Sequence, residues 1–248
     1  MGESRTDPAL NIVEISGLAW ALTVHKAAEV LAGEPEAEAA VSAYRESAQA
    51  EASRQLEAED PQAMEAELRR AGIVDGQGAI TRQWVLAVWI AASAPVKAAA
   101  VVQSQDLSVH TELGLTGGRG VGITYYRRIR HSVDGVAVTE VRNAVEISFF
   151  REEDAWAAIR RHLPAAAERQ AAPDAVVGET GPGATHTFHL EVSAAVPVAD
   201  QGHHPGHVSR DAWALAERSY SIADLSREVA WRVLGAREYL ASAAEKAA

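Results

Sequence analysis

Apolar residues recur every three or four positions from about Gly17 to Ala94, then nearly every second position from Val96 to about Phe150. This change of period predicts helices first and strands afterwards. Ahead of it, NIVEI (Asn11 to Ile15) has the look of a short strand. Ser16 is placed to cap a helix carrying Leu18, Leu22, Val24, Ala28 and Leu31, with Gly33 to end it. Pro35 suits the first turn of a second helix, where its missing N–H costs nothing. There Val41, Tyr44, Ala48, Ala52 and Leu56 form a thin apolar stripe on a polar rod. Asp60 and Pro61 open a third helix with Met64, Leu68 and Ala71 inward and Gly72 at its stop. Thr81 is placed to cap a fourth, which carries Trp84, Val85, Val88 and Trp89 and ends at Pro95.

The alternating region predicts strands at about 96–103, 107–115, 120–128, 134–141 and 144–150. Turns are expected at Gln105-Asp106, Gly117-Gly118, Asp134-Gly135 and Arg142-Asn143, and links this short make an antiparallel meander. Glu152, Glu153 and Asp154 open the next helix, where carboxylates favour the positive end of the dipole. Its inward residues are Trp156, Ile159 and Leu163, and it stops at Pro164. Residues 173–184 (PDAVVGETGPGA) read as a linker. A strand carrying Phe188, Leu190 and Val192 follows, then the loop DQGHHPGH and two helices. The longer helix places Leu225, Val229, Val233, Ala236 and Leu240 on one stripe. These elements make an α+β fold, expected as one domain over 1–248 with possible subdomains 1–172 and 185–248 joined by the linker.

Composition narrows the chemistry. Cysteine is absent, which removes disulfides, thiolate metal sites and cysteine nucleophiles. The net charge of −11 repels phosphate backbones, so no nucleic-acid partner is expected. No stretch reads as a membrane span or a signal peptide, and a cytoplasmic location is expected. Five of the nine histidines fall between His186 and His207. On a strand, however, His186 and His189 point to opposite faces, and Pro205-Gly206 breaks the helical spacing of His203 and His207. A solvated loop is therefore preferred to a metal site there. GGRGVG (Gly117 to Gly122) has the glycines of a phosphate-binding loop, but a strand follows it where such a loop opens a helix. A hairpin turn explains the glycines better. No residue set has catalytic spacing, and neither cofactor nor metal is expected.

The order of parts resembles the EspG family, cytosolic chaperones of actinobacterial type VII (ESX) secretion systems. The strand and helix NIVEISGLAWAL, the link LRRAGIVDGQGAIT, the helix stopping at Ala94-Pro95, and the meander running into a helix at Leu163-Pro164 carry the resemblance. It covers about Asn11 to Pro164. The family's second sheet-forming half, with its Gly-Arg-Tyr-type stretch, is not found after Ala184. The resemblance implies a central antiparallel sheet flanked by helices, with an internal pseudo-twofold arrangement and here a helical C-terminal region. It implies no enzyme, but an adaptor that covers the apolar tip of a helical PE–PPE or WXG-type substrate and keeps it soluble. Partner contact is expected at Thr116, Gly117, Gly118 and Arg119 of the hairpin and at Trp231 and Tyr239 of the last helix. The alternative is a small-molecule- or metal-binding α+β enzyme that uses the His186–His207 segment.

Overall fold

The computed structural model describes residues 10–53, 61–133, 135–163, 187–197, 208–214 and 221–247. One antiparallel sheet organises them. Its strands are β1 (Asn11–Ile15), β2 (Val96–Gln103), β3 (Leu107–Thr116), β4 (Arg119–Ser132), β5 (Gly135–Arg151), β6 (Thr187–Pro197) and β7 (Val208–Ala214), in the order β1-β5-β4-β3-β2-β6-β7. The meander β2 to β5 forms the centre as its short links predict. β1 closes one side against β5, and β6 pairs with β2 on the other.

Helices cover both faces. α1 (Gly17–Leu31), α2 (Pro35–Ser53), α3 (Pro61–Arg70) and α4 (Arg82–Ser93) gather on one face over Val121, Ile123, Val145 and Ile147. A 3-10 turn (Glu152–Asp154), α5 (Ala155–Arg160) and α6 (Ile222–Ala247) cover the other. There the alternate residues of β2 and β6, from Val96 to Val102 and from Phe188 to Ala194, meet Leu225, Val229 and Ala236. Each large aliphatic side chain buried in this way contributes about 1.5–3 kcal/mol.

Local signals explain most boundaries. Ser16 caps α1 by accepting from the Ala19 N–H (3.1 Å). It is itself held by Glu67 of α3, which accepts from the Ser16 N–H (2.6 Å) and hydroxyl (2.9 Å). Gly72 has φ 67°, the left-handed stop expected after α3. At the start of α6, Asp224 N–H donates to Ser221 Oγ (3.1 Å), and the Asp224 carboxylate accepts from the Ser221 N–H (3.2 Å). These reciprocal bonds tie down the first turn.

Four expectations are corrected. Thr81 stands at the start of α4, but its hydroxyl donates to the Gly72 carbonyl (3.1 Å) and caps nothing. The inward side of α1 is centred on Trp20, Val24 and Ala27, and Leu22 and Leu31 are only partly buried. The reason is aromatic packing: Trp20 lies 6.4 Å from Tyr44 and 6.5 Å from Trp84, ring centre to ring centre. Arg142-Asn143 is not a turn, because β5 continues from Gly135 to Arg151, with only a shift of register against β4 at this point (Tyr125 opposite Val145, Arg127 opposite Val141). Both polar residues have partners there: Arg142 pairs with Glu14 (3.0 Å), and Asn143 Oδ1 accepts from the Gly17 N–H (3.2 Å). Finally, residues 208–214 form a strand, fixed by pairing Val208 to Ala214 against Pro197 to Glu191, where a helix was expected. The linker 173–184 lies outside the described residues.

Two glycines set the packing under α5. A Cβ on Gly120 would sit 2.1 Å from the Phe150 ring, and one on Gly122 would sit 2.4 Å from Ser148 Oγ. The Phe150 ring therefore lies directly on strand backbone. Gly120→Ala is expected to destabilise the protein by about 1–3 kcal/mol, the usual range for overpacking. A lowered urea midpoint would show it. Adding Phe150→Leu should return part of the loss, since the two changes share one contact.

Candidate functional site

The hairpin singled out in the sequence is a tight two-residue turn. Thr116 and Arg119 close it as a pair, and Gly117 (φ 57°) and Gly118 (φ 77°) both take the left-handed conformation. That is the turn whose twist matches antiparallel strands, so the glycines serve backbone geometry. Gly117, Gly118 and Arg119 are exposed. The Gly118 carbonyl accepts from the Glu152 N–H (3.1 Å), and the Glu152 carboxylate pairs with Arg237 of α6. One residue thus ties the hairpin turn to the last helix.

On α6 the two aromatic candidates differ. Trp231 is 71% exposed, and Leu234, one turn on, is 50% exposed. Arg227, Trp231, Leu234 and Glu238 follow one another at helical spacing, so they form a single outward stripe. Tyr239 is half-buried and packs against the core with Val233 and Leu240. Of the two, only Trp231 presents a ring to solvent.

A second constellation was not visible in the sequence. Thr111, Thr124, Tyr126 and Glu146 occupy positions of β3, β4 and β5 that face α5, where apolar residues are the rule. They meet Arg161 and His162, just past the end of α5. Tyr126 donates to Glu146 (2.8 Å), Arg161 pairs with the same carboxylate, and Thr111 and Thr124 share a hydrogen bond (3.0 Å). His162 bridges Thr124 and Tyr126 at 3.5 Å from each ring nitrogen, and its ring meets Tyr126 edge-on at 5.9 Å. The Arg142 guanidinium lies over the Tyr126 ring, 5.2 Å from its centre. The signal available in the sequence was the run of polar residues at inward strand positions. Arg161 and His162 gave none, because their partners lie far away in the chain.

The charges in this cluster are fixed. Burial, with Arg161 beside it, lowers His162 to about 3, so the imidazole is neutral at ordinary pH and a poor proton acceptor. Burial and the adjacent Glu146 hold the Tyr126 phenol well above its usual range. The cluster is a hydrogen-bonded clasp that fixes the end of α5 to the sheet.

The histidine-rich segment gives less. His189 stands exposed on β6, while His186, His203, His204 and His207 lie outside the described residues. Among the described residues, no three His, Asp or Glu side chains come together as a metal site would need. Nor is any described helix long and apolar enough to cross a membrane. No model of a known protein family matches the chain, and no curated protein is significantly similar to it.

Two outcomes follow for the clasp. Unfolded His162 takes up a proton near pH 6.5, whereas the folded protein resists it until about 3. Its contribution to stability is therefore complete above pH 6.5 and falls as pH drops through that window. His162→Gln should flatten the dependence of the urea midpoint between pH 6.5 and 5, where most carboxylates are still ionised. Glu146→Ala strands Arg161 and the Tyr126 hydroxyl. It should cost at least about 2 kcal/mol, less than the full penalty of a wholly buried pair because Arg161 keeps 24% exposure.

Proposed function

We propose that this protein is a non-enzymatic, cytosolic adaptor of the EspG type, which binds a helical PE–PPE-like or WXG-type substrate of a type VII secretion system. The observation that carries the reading is the outward stripe of α6. Trp231 and Leu234 spend apolar area on solvent while the opposite side of the same helix is fully committed to the core. A rigid aromatic anchor beside an aliphatic one, flanked by Arg227 and Glu238, is the composition of a partner-binding centre with a polar rim. The mount is stiff, because Arg237 and Glu152 fasten α6 to the β3–β4 turn. That joint brings the hairpin turn next to Arg237, six residues along α6 from Trp231.

Support also comes from the architecture, a central antiparallel sheet with helices on both faces, as the family resemblance implies. The strand β7 adds sheet to the half in which the sequence showed only one strand. A helical hairpin with an apolar tip would gain the usual stabilisation from covering Trp231, on the order of 2 kcal/mol for an aromatic hot spot.

Co-expression with PE–PPE and WXG-type pairs, followed by co-purification, tests the reading. The intact chain should retain one such pair. Trp231→Ala should weaken retention about 30-fold, the equivalent of about 2 kcal/mol, and Trp231→Glu with Leu234→Glu should abolish it while leaving the circular-dichroism melt unchanged. Failure of the intact chain to hold any helical pair would reject the adaptor reading. Full retention by the double variant would reject α6 as its surface.

A further inference from the structure

The helices α1 to α4 do not cover their face of the sheet to its full width. Past β3, a cleft of about 260 Å³ opens among β2, β3, β6, α2 and α4. Its polar walls are Tyr44, Lys97, Glu112, Glu191 and Ser193. Ala99 is paired with Glu112 on one side and Glu191 on the other, so two carboxylates flank one short side chain. In a β-sheet such direct neighbours stand about 5 Å apart on the same face, which leaves the space above Ala99 between the two acids.

The other polar groups favour the same kind of guest. Lys97, the one cation in the wall, donates to the Ala92 carbonyl at the end of α4 (2.7 Å). Two carboxylates against one ammonium leave the cleft net negative. Ser193 is only 5% exposed yet lines the cleft. The Tyr44 hydroxyl oxygen is buried beside Trp20 and Tyr125 with no partner at full hydrogen-bonding geometry, so an arriving donor would satisfy it. Burial first, then Tyr125 and Glu112, hold this phenol well above its ordinary range, so it stays a neutral hydroxyl. Carboxylates, a serine and a tyrosine all accept hydrogen bonds. An acceptor-rich, net-negative cleft whose apolar side chains are Ala91, Ala99 and Ile123 suits a donor-rich cation on a hydrocarbon stem.

We propose that this cleft binds an alkylammonium or alkylguanidinium group, held between Glu112 and Glu191 with Ser193 and Tyr44 as further acceptors. The group belongs either to a free small amine or to a lysine or arginine side chain of a bound protein. The proposal is independent of the α6 surface, which lies on the opposite face of the sheet.

Titration of the full chain with butylammonium and butylguanidinium, followed by backbone amide shifts, tests it. Both cations should move the amides of Ala98, Ala99 and Glu191 to Ser193 saturably, while butyrate should not. Glu112→Gln with Glu191→Gln should weaken the binding at least about tenfold, the loss of about 1.4 kcal/mol. Ala99→Leu, which fills the space without altering charge, should do the same. Blocked Gly-Arg-Gly and Gly-Lys-Gly peptides separate the two sources. Tighter binding by a peptide than by its matching alkyl cation assigns a protein side chain, and weaker binding assigns a free amine. Absence of saturable shifts, equal shifts with butyrate, or unchanged affinity in the double glutamine variant would overturn the proposal.

Discussion

The close approach of other groups to bare strand backbone governs how this sheet is covered. Gly114 lets α4 settle on β3 so closely that a Cβ there would sit 2.6 Å from the Ile90 carbonyl. On the reverse face, Gly120 gives clearance to Phe150, from which the chain passes straight into the 3-10 turn and α5, and Gly122 gives it to the Ser148 and Leu113 side chains. Gly114 and Gly122 fall on β3 and β4, near the middle of the sheet, and their clearances open to opposite sides. A side chain at Gly114 would push α4 outward and one at Gly122 would displace Ser148 and Leu113, and an interior packed like a molecular crystal has no slack to absorb either shift. The glycines read in the sequence as a turn motif thus divide by role. Gly117 and Gly118 make the turn, and Gly120 and Gly122 make room.

Once the layers are seated, polar groups fix their order. Glu67 reaches back from α3 to hold Ser16, while Asn143 holds the next backbone N–H at Gly17. The strand–helix junction at Ser16 is therefore clasped from a helix and from the middle of β5. Across the sheet, the Glu146–Arg161 pair with Tyr126 and His162 does the same for α5. These bonds gain little over water in net terms, yet each leaves a costly orphan if its partner is misplaced. They discriminate between arrangements more than they add stability.

Both kinds of constraint explain what the sequence could and could not disclose. Strand β3 was legible because Val109 to Leu115 alternates, β2 because Pro95 bounds a short run of valines and alanines, and the start of α1 because Ser16 caps locally. Residues 208–214 were not, since alanines and charges suit a helix and only the partner strand β6 makes them a strand. Arg142-Asn143 failed for the same reason, as a polar pair looks like a turn until Glu14 and Gly17 are known to await it. The site divides along the same line. Trp231 stands out on α6 because the stripe through Leu225 and Val229 already assigns the opposite side to the core. The Tyr126 clasp and the Glu112–Glu191 cleft depend on register between distant strands, which no local pattern carries.

The unequal covering of the two faces bears on function. On the α6 side the helix seals the β2–β6 half and turns Trp231 and Leu234 outward, so these side chains are reached without opening the core. On the other side α4 stops at Pro95, and the chain re-enters the sheet as β2 before any helix has crossed β6. A half-buried strip of alternating polar residues is left, with Lys97 anchored to the end of the helix that fell short. An antiparallel sheet tolerates such a strip because every second side chain can be polar without disturbing the face beneath. The fold therefore presents two chemically distinct surfaces, one exposing Trp231 and Leu234 and the other a cleft lined by Glu112 and Glu191. Substitutions on one should leave the other intact, since the strands between them are fixed by pairings that neither surface supplies.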